Sequence, residues 1–226
     1  AGARDVISDF FLTGESALFS ALAVALALFI FLQLGIAPKI SFLAVAILAL
    51  ATPVAAYSGW LFSEPIAAAL LLSASTVLFV QPPEMSIPAW RALAAGALLG
   101  AAVWVRPTHV IAVPVYLAAV LLRDKKKQWS AATALAVAAG IGVAVLLWRN
   151  AYLHGSAFDF GYPVAAEGGK ALNTFETPLF TGLLGFLLSP GKSVFLFSPP
   201  ILLAMIGLPR LWRRDRGLAV VAAATP

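Results

Sequence analysis

The strongest constraint in this sequence is a series of long apolar runs separated by short polar or proline-containing breaks. A bilayer core about 30 Å thick is crossed by about 20 helical residues, and by somewhat fewer where helices are buried. The runs therefore predict an all-α, polytopic transmembrane helix bundle. We expect a partial span from residue 217 and about seven full spans, at 16–35, 41–57, 65–80, 92–105, 108–122, 131–148 and 194–209.

Composition supports a membrane protein and excludes several other classes. Hydrophobic residues make up 62% of the 226 residues and charged residues 11%, against about 25% charged in an ordinary soluble domain. A soluble fold of this size could not cover so much apolar surface with so little charge. The sequence therefore predicts a single transmembrane domain over residues 1–226.

Cysteine and histidine content limits the metal chemistry. The chain has no cysteine, which excludes disulfides, thiolate metal sites and a cysteine nucleophile. Its two histidines, His109 and His154, are too few for a histidine-based metal site unless carboxylates complete it. We therefore predict no metal-ligating residues, and a divalent cation stays open as a cofactor.

Lysine and arginine set the orientation of the spans, because short cytoplasmic loops are enriched in basic residues. Placing the run from Arg123 to Lys127 in the cytoplasm and alternating outward puts ten basic residues inside and five outside. The same alternation places seven of the ten acidic residues outside. Membrane topology therefore explains the net charge of +5 better than nucleic-acid binding does. The outer basic residues are Arg4, Arg106, Arg149, Lys170 and Lys192.

The N-terminus falls outside in this topology. The first fifteen residues lack the charged-then-apolar order of a signal peptide, and the chain does not begin with methionine. A natural chain with an external start needs an upstream span to deliver it there. We therefore expect this sequence to be part of a longer protein.

The longest connection, 149–193, lies outside and is rich in glycine, aromatic residues and mixed charge. Loops of this length in a compact bundle are usually functional. Within it, the apolar stretch from Thr181 to Leu188 is too short to span, so we expect it to lie at the interface or to re-enter. Asp159 and Tyr162 combine a carboxylate with an aromatic ring, which suits sugar binding, but solvated loops have the same composition.

One stripe of small residues predicts where two helices approach each other. Ala92, Gly96 and Gly100 recur every four residues within the run 92–105. Small residues at this spacing let helix backbones come close, which is the best explanation for them here.

Arg106 is the first candidate for a functional residue. As helices, the runs 92–105 and 108–122 on either side of it are each about 21–23 Å long, so the turn at Arg106 lies below the outer surface. An arginine inside a membrane is a functional candidate by default, because its charge is costly in lipid. Its planar guanidinium suits a phosphate. The alternative is an interfacial arginine that extends its charge to the lipid headgroups.

Glu64 is the second candidate and lies at the outer start of a helix. Ser63 before it is a candidate N-cap, and Pro65 is tolerated in the first helical turn. In the simpler interpretation, the Glu64 carboxylate complements the helix dipole. In the functional one, it faces a polar cavity and positions a sugar hydroxyl, a metal or Arg106, which lies on the same side of the membrane.

Tyr57 and His109 are predicted to line the same outer cavity. Tyr57 ends the run before Glu64, and His109 follows Arg106 by three residues. For His109 the safer interpretation is a hydrogen bond within the bundle.

Lys192 lies in the segment Ser189 to Ser193, which resembles only the end of a phosphate-binding P-loop. That motif requires a glycine five residues before Gly191, where this chain has Phe186. The segment also lies outside, away from ATP. Lys192 would therefore neutralise a lipid phosphate or serve as an interfacial lysine.

Three short segments, taken together in their order along the chain, form a distinctive pattern. The first joins Thr52-Pro53 to the stretch from Tyr57 to Pro65, and the second runs from Gly96 to Pro107. The third runs from Gly161 to Pro200 and contains Ser-Pro-Gly-Lys before Phe-Ser-Pro-Pro, an unusual combination in generic helices. In this order they resemble the multi-span C-type glycosyltransferases, notably the bacterial relatives of dolichyl-phosphate-mannose–protein mannosyltransferases.

The resemblance implies transfer of a hexosyl or pentosyl group from a polyprenyl-phosphate donor to a lipid, glycan or protein acceptor. The transfer would occur at the outer face of a bacterial inner membrane. By this analogy Arg106 holds the donor phosphate, and Lys192 and the loop 149–193 line the same cavity. Such enzymes use a carboxylate base in their first outer loop. We expect this chain to start after that loop, and no familiar motif surrounds Asp5 or Asp9, so the catalytic base stays unassigned.

Two other functions remain open. A transporter or flippase for a lipid-linked sugar would also need an intramembrane arginine and a polar cavity. It would more often show paired repeats and matching broken spans, which we do not find in the sequence. In a non-catalytic membrane fragment, Arg106 and Glu64 would be interfacial anchors.

Overall fold

The computed structural model describes residues 3–58, 62–123, 128–160, 166–167, 170–171, 178–191 and 193–224. Helices dominate this part of the chain, which confirms the predicted all-α class. They are α1 (Ala3–Gln33), α2 (Pro38–Leu50), α3 (Pro53–Ser58), α4 (Glu64–Phe79), α5 (Ala89–Val105), α6 (Ala112–Arg123), α7 (Trp129–His154), α8 (Leu179–Leu188), α9 (Val194–Phe197), α10 (Pro200–Arg214) and α11 (Arg216–Ala224).

Two helices are long and apolar enough to cross a membrane, Gly14–Gln33 within α1 and Trp129–His154, which is α7. Length and composition thus identify two candidate spans in the described residues, fewer than the seven expected from the apolar runs. The seven-span bundle therefore stays a prediction. The shorter apolar helical segments are Pro38–Leu50, Glu64–Phe79, Ala89–Val105 and Pro107–Arg123.

Prolines explain why two of the apolar runs are not continuous helices. Pro53 begins α3 after a short break, so the run 41–57 is divided between α2 and α3. The run 194–209 is divided between α9 and α10, next to Pro199. Proline lacks a backbone N–H and disfavours helical conformation in the residue before it. The apolar runs therefore overestimate the length of the continuous helices at both places.

The long outer connection is shorter than predicted and partly helical. α7 continues to His154, and Gly155 ends it with a φ of 76°, a left-handed conformation that glycine adopts without strain. The connection contains a short antiparallel ladder, β1 (Ala166–Glu167) with β2 (Lys170–Ala171). It also contains α8, which covers the stretch predicted to lie at the interface and exposes large apolar side chains.

The core forms where α4, α5, α6, α7 and α11 pack together. Small residues bring α5 and α7 into close contact. A Cβ on Gly96 would lie 2.5 Å from the carbonyl oxygen of Leu135, and one on Gly142 would lie 2.7 Å from the Cα of Gly100. Ala92, on α5 with Gly96 and Gly100, is fully buried. The small-residue stripe therefore makes the close helix packing that its spacing predicts.

The two ion pairs that the described residues form between helices lie at opposite ends of this core. α4 begins at Glu64, which meets Arg106 at the end of α5, and we call this the outer end. α4 ends at Phe79, beside Arg123 from the end of α6, and we call this the inner end. The 16 residues of α4 separate the two ends by about 24 Å. The structure thus groups these residues as the predicted topology does.

Candidate functional site

Arg106 and Glu64 form an ion pair at the outer end. Arg106 leaves the helical conformation, with φ −152° and ψ 110°, because Pro107 follows it and begins a 3₁₀ turn (Pro107–Ile111). Nη1 of Arg106 donates to Oε1 of Glu64, the first residue of α4. The two side chains are 40% and 32% exposed, so solvent weakens their attraction. The ion pair with Arg106, one of the roles predicted for Glu64, is therefore present in the structure.

Ser63 does not cap α4 in the way its sequence position suggested. It occupies the N-cap position with helical dihedral angles, φ −77° and ψ −16°, and its side chain makes no capping hydrogen bond. A capping side chain normally belongs to a residue with an extended backbone, which aims its oxygen at the first-turn N–H groups. The helix start therefore relies on Pro65, which has no N–H to satisfy, and on the charge of Glu64.

A cavity of about 620 Å³ opens beside this ion pair, between α2, α3, α4 and α10. Its volume lies within the range of about 300–1,000 Å³ that is usual for small-molecule sites. Four predicted site residues line it: Tyr57, Glu64, Arg106 and His109. Most of the remaining wall is apolar and includes Leu48, Val54, Leu71, Ile201 and Ala204.

The cavity holds polar atoms that the described part of the protein leaves without hydrogen bonds. Both ring nitrogens of His109 and Oε2 of Glu64 are buried and have no partner there. Buried polar groups are normally hydrogen-bonded, so atoms of this kind mark a place for a ligand or for water. Among the described residues His109 forms no side-chain hydrogen bond within the bundle, and it lines the cavity with Arg106.

Tyr57 contributes an aromatic wall to the cavity. It lies on α3, and its ring centroid is 4.9 Å from that of Phe62, with the ring planes tilted by 58°. The same tyrosine lines a smaller cavity of about 80 Å³ together with Ser20 and Ala23 of α1. A half-buried ring with a polar hydroxyl is suited to contact a ligand that has both apolar and polar faces.

Sequence reasoning missed the contribution of α10. Pro200, Ile201 and Ala204 of α10 complete the cavity wall together with Ser198, which precedes that helix, although none of them was predicted as a site residue. A signal was present, because the third segment of the family resemblance ends at Pro200. Thr52 is a second case, since it begins the first segment of that resemblance and also lines the cavity.

Of the three other predicted site residues, the structure describes Asp159. Asp159 lies in the exposed turn after α7, where its backbone N–H donates to the carbonyl oxygen of Ser156 at 3.2 Å. Tyr162 and Lys192 lie outside the described residues. Within the described ranges, no group of three or more His, Asp or Glu side chains could hold a metal ion.

Comparison of the chain with protein-family models, curated proteins and solved structures finds no match. The family resemblance is therefore carried by its three sequence segments alone. Function has to be inferred from the geometry of the outer end.

Proposed function

We propose that this chain is part of a membrane glycosyltransferase that moves a sugar from a polyprenyl-phosphate donor to an extracytoplasmic acceptor. The observation that carries the proposal is the position of the Arg106–Glu64 ion pair beside a largely apolar cavity of about 620 Å³. Such a donor has a long hydrocarbon chain joined to a phosphate and then to a sugar. An apolar wall with a guanidinium at its polar edge matches that order of chemical groups.

The proposal places the protein in a bacterial inner membrane as a multi-pass protein. Two helices are long and apolar enough to span, and several shorter apolar helices pack side by side in one core. The distribution of lysine and arginine gives these helices an alternating orientation. Large apolar side chains remain exposed on their outer surfaces, Leu43 and Ile141 among them, which suits contact with lipid.

Arg106 would bind the donor phosphate in this mechanism. The phosphate leaves more easily when preorganised donors stabilise the negative charge that grows on its oxygens. The ion pair with Glu64 holds the guanidinium at the cavity before the donor arrives, and the phosphate then competes with the carboxylate for the same cation. Lys192, from the outer loop, would supply a second positive charge.

The polar groups around Arg106 would bind the sugar. His109 and Oε2 of Glu64, which have no hydrogen-bond partner among the described residues, would bind sugar hydroxyls, and the Tyr57 ring would provide a face for the sugar to pack against. Asp159 and Tyr162 of the outer connection would contact the sugar or the acceptor from the outer side of the membrane.

The acceptor hydroxyl must lose its proton to a base, for which a carboxylate is suited. Asp5 and Asp9 belong to the first turns of α1, and their side chains lie outside the described part of the chain. The catalytic base therefore remains unassigned in the proposed mechanism.

The test uses the full-length parent protein, reconstituted with radiolabelled polyprenyl-phosphate sugars. Wild type is compared with Arg106→Ala and with a matched control, Arg149→Ala, which removes an exposed arginine near the end of α7. We expect Arg106→Ala to weaken donor binding and to lower transfer by about 100- to 1,000-fold, the usual cost of losing one transition-state donor. Arg149→Ala should match wild type, and size-exclusion profiles check that the folded fractions agree.

Three results would contradict the proposal. Unimpaired transfer by Arg106→Ala would remove Arg106 from the mechanism. An equal loss in Arg149→Ala would show that only the general positive charge of the outer side matters. Movement of the lipid-linked sugar across vesicle membranes, without transfer by wild type from any donor tried, would replace the enzyme with a transporter or flippase.

A further inference from the structure

A cluster of arginines lies at the inner end, across the core from the proposed donor site. α10 ends with Arg213 and Arg214, and α11 begins with Arg216 after the single residue Asp215. All three arginines are exposed. Together with Arg123 they line a cavity of about 330 Å³ between this turn and the end of α6. The cavity is large enough for a small ligand.

Asp215, which lies between these arginines in the sequence, does not neutralise them. Asp215 is buried, and both of its carboxylate oxygens are engaged. Oδ1 accepts a hydrogen bond from the backbone N–H of Leu218 at 2.9 Å, and Oδ2 lies 3.1 Å from Nε of Arg123. In the part of the chain that the structure describes, no carboxylate forms an ion pair with the three exposed arginines. Among the described residues, the positive charge of this cavity is therefore not compensated by an ion pair.

Arg214 connects this cavity with a second one. It also lines a cavity of about 350 Å³ on the other side of the turn, next to Gln33 and to the residues that follow α4. A Cβ on Gly35, in the turn between α1 and α2, would lie 3.9 Å from Nη2 of Arg214. Arg214 therefore borders both cavities, and its Nη2 lies toward Gly35.

We propose that Arg213, Arg214 and Arg216 bind the phosphate headgroup of an anionic phospholipid in the inner leaflet. The planar fork of arginine pairs with two phosphate oxygens at once. Leu122 and Trp212, 46% and 44% exposed, adjoin the arginines in the same cavity wall, which favours a lipid over a free anion. The cytoplasmic leaflet carries anionic lipids, and basic pockets between helices on that side bind their headgroups.

This inference rests on the proposed membrane placement but not on the glycosyltransferase chemistry. A protein that transfers no sugar and still binds the lipid would overturn only the proposed function. Absence of the full-length protein from the membrane fraction would overturn both.

The test titrates the delipidated full-length protein in detergent with dioleoylphosphatidylglycerol and, separately, with dioleoylphosphatidylcholine. Native mass spectrometry then counts the bound lipids. Arg213→Gln and Arg214→Gln are compared with Arg210→Gln, which removes an exposed arginine from the same helix that is not part of the cavity wall. We expect wild type and Arg210→Gln to prefer phosphatidylglycerol, and each cavity variant to bind it about fivefold more weakly.

Three outcomes would overturn the inference. An equal loss in Arg210→Gln would show that general positive charge attracts the lipid. Equal binding of phosphatidylcholine would exclude recognition of the anionic headgroup. Displacement of phosphatidylglycerol by an equal concentration of inorganic phosphate would assign the arginines to a soluble anion. Thermal unfolding in detergent, which should be unchanged by substitution of exposed arginines, keeps folding defects out of the comparison.

Discussion

Two arginine–carboxylate pairs lie at opposite ends of the same core, and their surroundings differ. The Arg106–Glu64 pair at the outer end is 40% and 32% exposed and borders a cavity of about 620 Å³, and one carboxylate oxygen has no partner in the part of the chain that the structure describes. The Arg123–Asp215 pair at the inner end is 0% and 4% exposed, and both carboxylate oxygens are engaged. The outer pair can still take a ligand, whereas the inner pair has almost no capacity left.

The inner pair joins three helix ends. Arg123 donates from Nη1 to the carbonyl oxygen of Leu78 at 2.6 Å and from Nη2 to that of Phe79 at 3.3 Å, and it also reaches the carbonyl of Gln81. The last carbonyls of a helix have no partner within it, so Arg123 completes the end of α4. Asp215 caps the start of α11 through its contact with Leu218. This pair is therefore structural.

The comparison shows that charge alone does not make an arginine at a helix end functional. Arg106 and Arg123 both end a short apolar helix, and both form an ion pair with a carboxylate from another helix. The number of partners each guanidinium already has separates them. Substitutions at the two ends should therefore differ mainly in how much they change the free energy of unfolding.

The largest effect is expected from Asp215→Ala. This substitution leaves the buried charge of Arg123 without its counter-ion and removes the cap of α11. We therefore expect the free energy of unfolding to fall by about 3–5 kcal/mol. Equilibrium unfolding in mixed micelles measures this change. The matched control is Glu84→Ala, which removes an exposed acidic residue at the same end and should cost less than about 1 kcal/mol. Equal costs for the two variants would show that the buried pair is no stronger than a surface one.

The second effect tests how tightly the inner end is packed. A Cβ on Gly217 would lie 2.5 Å from the carbonyl oxygen of Ala119 and 3.0 Å from the Phe79 ring, so Gly217→Ala forces α11 away from α6. We expect a loss of about 1–3 kcal/mol in the same unfolding assay. Gly207→Ala, on α10 with nothing within 4 Å, should be neutral or stabilising. A neutral Gly217→Ala would mean that the contact between α6 and α11 adapts freely.

More of the outer site than of the inner one could be predicted from the sequence. The count of basic residues places four site residues at span ends on the outer side: Tyr57, Glu64, Arg106 and His109. Their shared side of the predicted membrane is enough to bring them near one another. The apolar runs likewise predict the helical class, and the stripe that includes Gly96 predicts a close helix contact. These inferences need only local periodicity and the order of the spans.

The inner pair and the α10 wall could not be predicted in this way. Arg123 begins a strongly basic run, which favours a solvated cytoplasmic loop, and Asp215 lies among three arginines at the other end of the chain. Their pairing depends on α11 packing against α6, a contact between distant segments that no local pattern encodes. The contribution of Ile201 depends in the same way on where α10 lies relative to α2 and α4.

The smallest effect on folding is expected from Glu64→Gln. The variant removes the charge of the partly exposed pair but keeps an oxygen that accepts from Arg106, so unfolding should change by about 0–1 kcal/mol. A double-mutant cycle with Arg106→Gln isolates the coupling between the two side chains, and the same unfolding assay measures it. If the outer coupling equalled the cost of Asp215→Ala, Arg106 would be a structural arginine like Arg123. The reason for assigning it to a donor phosphate would then be lost, because a guanidinium that the fold requires cannot readily leave Glu64 for a ligand.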